Sequence, residues 1–253
     1  MSSPALDHLI VLVPHDTLEG LPPALTSAFI VTPGGTHADG LTANKLIILR
    51  DGAYIELIAF IPGQERSGHW WGAKRNGLMD FALTHPTLPS SSFPPSAYDP
   101  SQAGGRLRPD GQKVDWFVTF PKKGEYERGV VPFFCHEQTT PREVRVPLDK
   151  DKTVHPSGAV GVAGVTVKVP EGEWEKTLKV YEEVFGGPGL VAAEAVVFQV
   201  GAVSGNGKAA VTLVKSSEDK GDFGEVVLRV DEEEKPEPVE VDLDGRSFRV
   251  RFE

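Results

Sequence analysis

Cysteine is nearly absent. Cys135 is the only one in 253 residues, so no intrachain disulfide can form, and a reducing compartment is expected. Positive charge is also short. Lys and Arg number 26 against 36 Asp and Glu, for a net charge of −10. No basic stripe is available to neutralise phosphates, so neither nucleic acid nor an anionic membrane is an expected partner. No apolar run reaches the ~18 residues of a membrane helix. The opening Met1-Ser2-Ser3-Pro4 has neither the basic region nor the apolar stretch of a signal peptide. A cytoplasmic protein is expected. Three catalytic signatures are missing too: the Gly-x-Ser-x-Gly elbow, the phosphate loop and the dinucleotide fingerprint. Their absence disfavours a serine hydrolase, an NTPase and a Rossmann dehydrogenase.

What is present begins with a 40% hydrophobic content, ample for one large core or two small fused ones. Two short apolar runs each carry one metal-capable side chain. The first is Leu6-Asp7-His8-Leu9-Ile10-Val11-Leu12-Val13, the second Tyr54-Ile55-Glu56-Leu57-Ile58-Ala59-Phe60. A neutral imidazole and a carboxylate suit a divalent cation in a nitrogen–oxygen site. An ionised glutamate inside such a run needs a cation, strong donors or a proton. The plainer alternative is that His8 and Glu56 are half-exposed or pair with each other.

The order of elements repeats. Residues 6–13 read as a buried strand. A short helix within 16–27, a strand at 28–32 and a Gly-rich loop at 33–40 follow. Strands at 44–49 and 54–60 flank a tight turn at Arg50-Asp51-Gly52. Further on, residues 164–169 predict a strand and 171–185 an amphipathic helix with Trp174, Leu178, Tyr181 and Phe185 on one face. Gly186-Gly187-Pro188-Gly189 stops it. Strands are expected at 196–200, 209–215, 225–230 and 247–252. Leu9 to Pro14 lies over Val165 to Pro170, so a βαβββ unit is predicted twice. The predicted divisions are 1–85 for the first unit, 86–160 for a connecting insertion and 161–253 for a divergent second unit. The insertion is a Ser- and Pro-rich loop at 86–105, then a hairpin from strands at 114–120 and 130–135. The acidic run Asp231 to Glu237 reads as a solvated loop.

A set of short motifs in order carries a family resemblance: Leu6-Asp7-His8-Leu9, Gly34-Gly35-Thr36-His37, Thr42-Ala43-Asn44, Tyr54-Ile55-Glu56-Leu57, His69-Trp70-Trp71-Gly72, Arg108-Pro109-Asp110-Gly111, Pro132-Phe133-Phe134 and His155-Pro156-Ser157. With the βαβββ repeat, the chain resembles the vicinal oxygen chelate (glyoxalase, bleomycin resistance, dioxygenase) superfamily, and more narrowly its glyoxalase-like domain proteins. The resemblance implies an α+β fold in which two βαβββ units form half-open barrels around one cavity, here with an inserted β-hairpin and long loops between the units. It implies a divalent metal held by inward residues of the first and fourth strands, and a substrate that chelates it through two neighbouring oxygens. His8 and Glu56 become the first-unit ligands. The second unit departs from this pattern, since Gly164 falls opposite His8 and Thr212 opposite Glu56. A further ligand is sought in His37, then His136, then His155.

The implied activity is that of a metal-dependent enzyme acting on a small oxygenated metabolite by Lewis-acid-assisted proton transfer, isomerisation or lyase chemistry. Zinc, magnesium, manganese and iron are not distinguished. Ferrous iron would open ring-cleaving oxygenation. Glu56 and His37 are the candidate proton movers. Asn44, Arg108, Trp70 and Trp71 are the candidate substrate contacts, Arg108 through a bidentate grip on a carboxylate. Each has a structural alternative: a satisfied strand amide, a turn ion pair, a packed aromatic cluster. Trp116 reads as core and Cys135 as a buried, inert thiol. The competing function is a non-catalytic small-molecule-binding protein of the same fold. Either a monomer or a homodimer is compatible with both.

Overall fold

The computed structural model describes residues 4–85, 97–231 and 235–253. Part of the predicted loop at 86–105 (residues 86–96) and part of the acidic run (residues 232–234) lie outside the described residues.

Four strands come first: β1 (Ala5–Leu12), β2 (Thr32–His37), β3 (Thr42–Ile48) and β4 (Tyr54–Phe60). Two short helices, α1 (His15–Glu19) and α2 (Pro23–Ala28), link β1 to β2. Strand β1 pairs parallel with β4, β4 antiparallel with β3, and β3 antiparallel with β2. The next four strands are β5 (Gly77–Thr84), β6 (Gln102–Leu107), β7 (Lys113–Thr119) and β8 (Phe133–Glu137). β2 joins β6, β6 joins β7 and β7 joins β8, all antiparallel; β8 lies parallel to β5, and β5 closes antiparallel onto β1. The result is a closed, mixed, eight-stranded barrel. Closure removes every free edge among these strands. Strands β1 and β5 are buried along their whole length, as apolar runs covered on both faces should be.

A further sheet follows the helix α3 (Lys150–Thr153). Its strands are β9 (Ala159–Pro170), β10 (Leu190–Ala192), β11 (Ala195–Ala202), β12 (Lys208–Ser216), β13 (Asp222–Val230), β14 (Val239–Asp242) and β15 (Ser247–Phe252). Strand β9 pairs parallel with β12 and antiparallel with β13, the arrangement β1 has with β4 and β5. The helix α4 (Trp174–Phe185) covers this sheet, with Tyr181 and Phe185 packed on Phe198. Gly186 ends it at φ +76°, and the Gly187 N–H returns to the Glu182 carbonyl, the usual left-handed stop. The two sheets meet where Ala5 and Leu6 of β1 pair with Gly201 and Ala202 of β11.

The predicted α+β architecture of βαβββ units around one cavity is what the chain adopts. The strands that close the barrel against β1–β4 are β5–β8, from residues 77–137, a stretch predicted as the end of the first unit and a connecting insertion. Residues 159–230 carry the predicted repeat, but their strands extend the sheet beyond the barrel, through β11 on β1, instead of closing it. Positions Gly164 and Thr212 therefore lie in that sheet, where Gly164 pairs with Ala210 and Thr212 with Thr166, away from His8 and Glu56. Strand β2 also departs from expectation: the predicted Gly-rich loop is a strand, and the predicted strand at 28–32 is mostly its approach. Two glycines make β2 possible. A Cβ on Gly34 would stand 1.9 Å from Asn44 Oδ1, and one on Gly35 2.0 Å from the Leu107 carbonyl. Only glycine lets β2 lie this close to both neighbours. Among the described residues no helix is long and apolar enough to cross a membrane.

Candidate functional site

Parallel pairing sets the site. His8 is in register with Tyr54 and Ile10 with Glu56, so His8, Tyr54 and Glu56 face the barrel interior together. All three are buried. The His8 ring stacks on Tyr54, centroids 4.5 Å apart and planes 7° from parallel. His8 Nε2 stands 3.6 Å from Glu56 Oε2. His37, the last residue of β2, places its Nε2 3.5 Å from the other oxygen, Glu56 Oε1. Its Nδ1 lies 2.7 Å from the Thr42 hydroxyl. Asn44 donates from Nδ2 to Glu56 Oε1 at 2.5 Å, while its own Oδ1 has no partner among the described residues. Burial pushes the Glu56 carboxyl up, but His37, His8, the Asn44 hydrogen bond and Arg106 together hold it below its ordinary value. It is ionised at neutral pH. Burial lowers the His37 imidazole despite the pull of Glu56, so this ring is neutral at pH 7, the form that ligates a metal or accepts a proton.

Asp7 supports His8 from behind. Neighbours along a strand point to opposite faces, yet here Asp7 sits at a β-bulge, where the register of β1 on β5 slips between Leu6 and His8. Its Oδ1 accepts from His8 Nδ1 at 2.6 Å. Its Oδ2 accepts from Arg142 at 2.6 Å and from Arg145 at 3.1 Å. Arg145 is 2% exposed and also donates to Glu137 at 2.6 Å and to the Tyr54 hydroxyl at 2.8 Å. Burial alone would raise the Asp7 carboxyl; Arg142, Arg145 and His8 hold it well below the usual range. With Nδ1 engaged, the His8 lone-pair choice is fixed and Nε2 is left for the cavity.

The cavity above these groups measures about 240 Å³. Trp70, Trp71, Trp116, Phe120 and Phe133 form an aromatic wall, with Val118 and Cys135 between them. Arg106 and Arg145 enter from another side, and Asp39 and His69 stand at the rim. Gly104 and Gly105 of β6 line it with backbone, because a Cβ at Gly104 would stand 2.5 Å from the Trp116 indole nitrogen.

The structure gathers His8, His37, Glu56, Asn44, Trp70 and Trp71 around one point, and separates two other predicted residues from it. Arg108 does not line the cavity. It lies beyond the end of β6 and donates to the Val144 carbonyl and to Asp110, the turn ion pair that was its structural alternative. His136 does not line it either. Phe133 and Cys135 face inward, so His136 takes the other face of β8, stacked on Phe134 with its Nε2 3.4 Å from the Thr119 hydroxyl. His155 is structural. It accepts the Ile30 N–H and bonds the Ile48 carbonyl, tying the approach to β2 against β3. Cys135 is buried and its thiol is pushed up by burial, as expected of an inert thiol. Trp116 faces the cavity and was expected in the core. Asp7, Tyr54, Arg106 and Arg145 were not anticipated. Asp7 and Tyr54 stood inside the strand motifs, close to His8 and Glu56.

A family model described as a glyoxalase-like domain matches residues 6–185. The chain belongs to that family. A search of the curated proteins found no significant match. Among solved structures, a hypothetical protein from Staphylococcus aureus is similar at TM-score 0.73 and 14% identity, covering 98% of this chain and 99% of the other. A mutant of 4-hydroxymandelate synthase from Streptomyces coelicolor is similar at TM-score 0.54 and 12% identity, with 92% and 72% covered. 2,2',3-Trihydroxybiphenyl 1,2-dioxygenase from Sphingomonas wittichii follows at 0.50 and 14%, with 100% and 91% covered. At these identities the likeness is one of fold, and it places this glyoxalase-like protein in the vicinal oxygen chelate architecture.

The donor set of its cavity suits a divalent cation in type. Two imidazoles and one carboxylate are nitrogen–oxygen ligands, and His8 carries the carboxylate support that metal-bound histidines have. The N···O separations of 3.5 and 3.6 Å are long for hydrogen bonds. They resemble the ~3.4 Å between two donors that each stand ~2.1 Å from one tetrahedral ion. Among the described residues, however, no three His, Cys, Asp or Glu side chains converge as a complete cage; His8 and His37 approach different oxygens of Glu56.

Proposed function

We propose that this glyoxalase-like protein is a metal-dependent enzyme acting on a small oxygenated metabolite that carries a carbonyl, enol or hydroxyl group. The observation carrying the proposal is a single buried, ionised carboxylate, Glu56, flanked by two imidazoles at the base of an aromatic cavity. His8 and Glu56 are the residues that would hold the ion. When bound, a divalent metal supplies Lewis-acid polarisation of a substrate oxygen.

The chain's own residues supply the rest. Asp7 holds the His8 ring in place through Nδ1. Asn44 fixes the Glu56 carboxylate by its amide N–H. His37 Nε2 is neutral at pH 7 and directed at the same carboxylate; with the ion held by His8 and Glu56 and this nitrogen left free of it, His37 accepts and returns a proton, as general acid–base work requires. The Trp70 and Trp71 rings line the cavity and offer flat apolar area. Proton transfer, isomerisation and lyase chemistry all draw on these parts; ring-cleaving oxygenation is the less favoured reading. A small molecule is the partner this cavity fits. One chain closes the barrel unaided, so monomer and homodimer both serve.

The test is metal content by inductively coupled plasma mass spectrometry on protein purified without chelators, beside His8→Ala. About one equivalent in the wild type and its loss in the variant is the expected result. No metal in the wild type and none on titration overturns the proposal. That outcome favours the second reading, a non-catalytic binder, to which the incomplete three-ligand convergence and the largely aromatic wall already lend weight.

A further inference from the structure

One buried guanidinium in the cavity wall makes no direct ion pair among the described residues. Arg106 stands on β6 directly opposite His37 on β2, so their side chains are close cross-strand neighbours. It is 4% exposed. One guanidinium nitrogen donates to the Arg145 carbonyl at 3.0 Å, its Nε reaches no acceptor, and among the described residues it makes no ion pair. Arginine keeps its proton at any pH a protein survives, so a full positive charge lies in the wall. Buried charges are costly unless paired. The neighbouring guanidiniums are paired: Arg142 and Arg145 stand against Asp7 and Glu137.

We infer that the ligand of this cavity is a small aromatic carboxylate bearing an oxygen on the carbon next to the carboxyl, a 2-oxo or 2-hydroxy acid. The carboxylate takes Arg106, the partner its guanidinium lacks. The cross-strand position of Arg106 beside His37 sets the adjacent oxygen against His37 and Glu56. The flat body lies among Trp70, Trp71 and Phe133. The oxygen's role rests on the metal-dependent reading above; the carboxylate's contact with Arg106 does not.

The experiment is calorimetric titration with phenylglyoxylate and with its neutral amide, 2-oxo-2-phenylacetamide, which has the same shape without the charge. Each is titrated into as-purified protein and into protein stripped with a chelator. The stripped wild type is expected to bind the acid at least about tenfold tighter than the amide, as a charge-assisted contact predicts. Arg106→Gln is expected to abolish that preference and Arg106→Lys to keep part of it, with thermal unfolding confirming that both fold. Equal affinities in the stripped wild type overturn the inference without any variant, as does failure of the acid to bind. The two proposals fail separately. Stoichiometric metal with no preference in stripped protein sinks only the carboxylate assignment. A preference in protein that takes up no metal, as purified or on titration, sinks only the metalloenzyme.

Discussion

Asp7→Asn removes the acid shared by two guanidiniums and an imidazole. In the native protein Asp7 is fully buried and stands with Glu137 against Arg142 and Arg145, two negative charges against two positive. The substitution leaves one positive charge over, with Arg142 no nearer than 3.6 Å to Glu137. It also turns an acceptor into an amide donor against donors. Removing one partner from a buried pair costs about 3–5 kcal/mol, out of a total of about 5–15 kcal/mol. With a urea dependence of about 2–3 kcal/mol/M, the midpoint should fall by roughly 1–2 M. The double variant Asp7→Asn/Arg145→Met withdraws the stranded charge as well. It should be less destabilised than the sum of the singles by about 2 kcal/mol, since the two side chains are in contact. Equilibrium urea unfolding of all four proteins completes the cycle. A single-variant loss below about 1 kcal/mol, or additivity within about 0.5 kcal/mol, would refute the account of a tightly matched buried cluster.

Other perturbations test neighbouring parts. His69 accepts the Trp71 N–H on Nδ1 at 3.1 Å, and burial brings its pKa down to about 4. A base with a lowered folded pKa takes up its proton first in the unfolded chain. Its contribution is complete above pH ~6.5 and declines as the pH falls toward about 4, by about 1–2 kcal/mol between pH 7 and 4.5. Unfolding curves of His69→Asn should show a correspondingly shallower acid slope; an unchanged slope removes His69 as the cause. Gly34→Ala drives a methyl into Asn44 Oδ1, displacing the amide from Glu56; a loss of about 1–3 kcal/mol in thermal unfolding and weakened metal uptake are expected. Arg108→Ala, distant from the cavity, should leave metal uptake unchanged and cost under about 1 kcal/mol; a large drop in uptake would bring Arg108 back to the site.

Which parts of this were legible in the sequence follows from the range of the forces involved. Helix α4 could be read because its burial repeats with the helical period and Gly186 marks its end. His8 and Glu56 stood out because each is the odd residue in a short apolar run. Strand β5 was hidden: Asp80 interrupts its apolar residues, and that carboxyl is buried only because the Trp71 indole and the Phe81 N–H satisfy it. Strand β6 was hidden by Gly104 and Gly105, which read as loop until the Trp116 ring packed against them is seen. Arg108 drew attention through its turn motif, while Arg106, two residues earlier and inside the strand, faces the cavity. Asp7 could not be assigned beside His8 from alternation, since only the bulge brings it there. Periodicity is local, whereas the closing of β5 onto β1 depends on pairings between distant segments.

That closing strand gives β1 an uncommon burden during synthesis. It borders β4, β5 and, at its start, β11. It leaves the ribosome before all of these partners, as a ribbon of Leu, Ile and Val, and the last of them to be made is Gly201–Ala202 in β11. Non-local pairings of this kind slow folding and leave apolar segments exposed meanwhile. The strand that carries His8 is thus fully paired only once β11 has been made. Chaperone dependence should be greatest while translation has passed β4 but not yet reached β11.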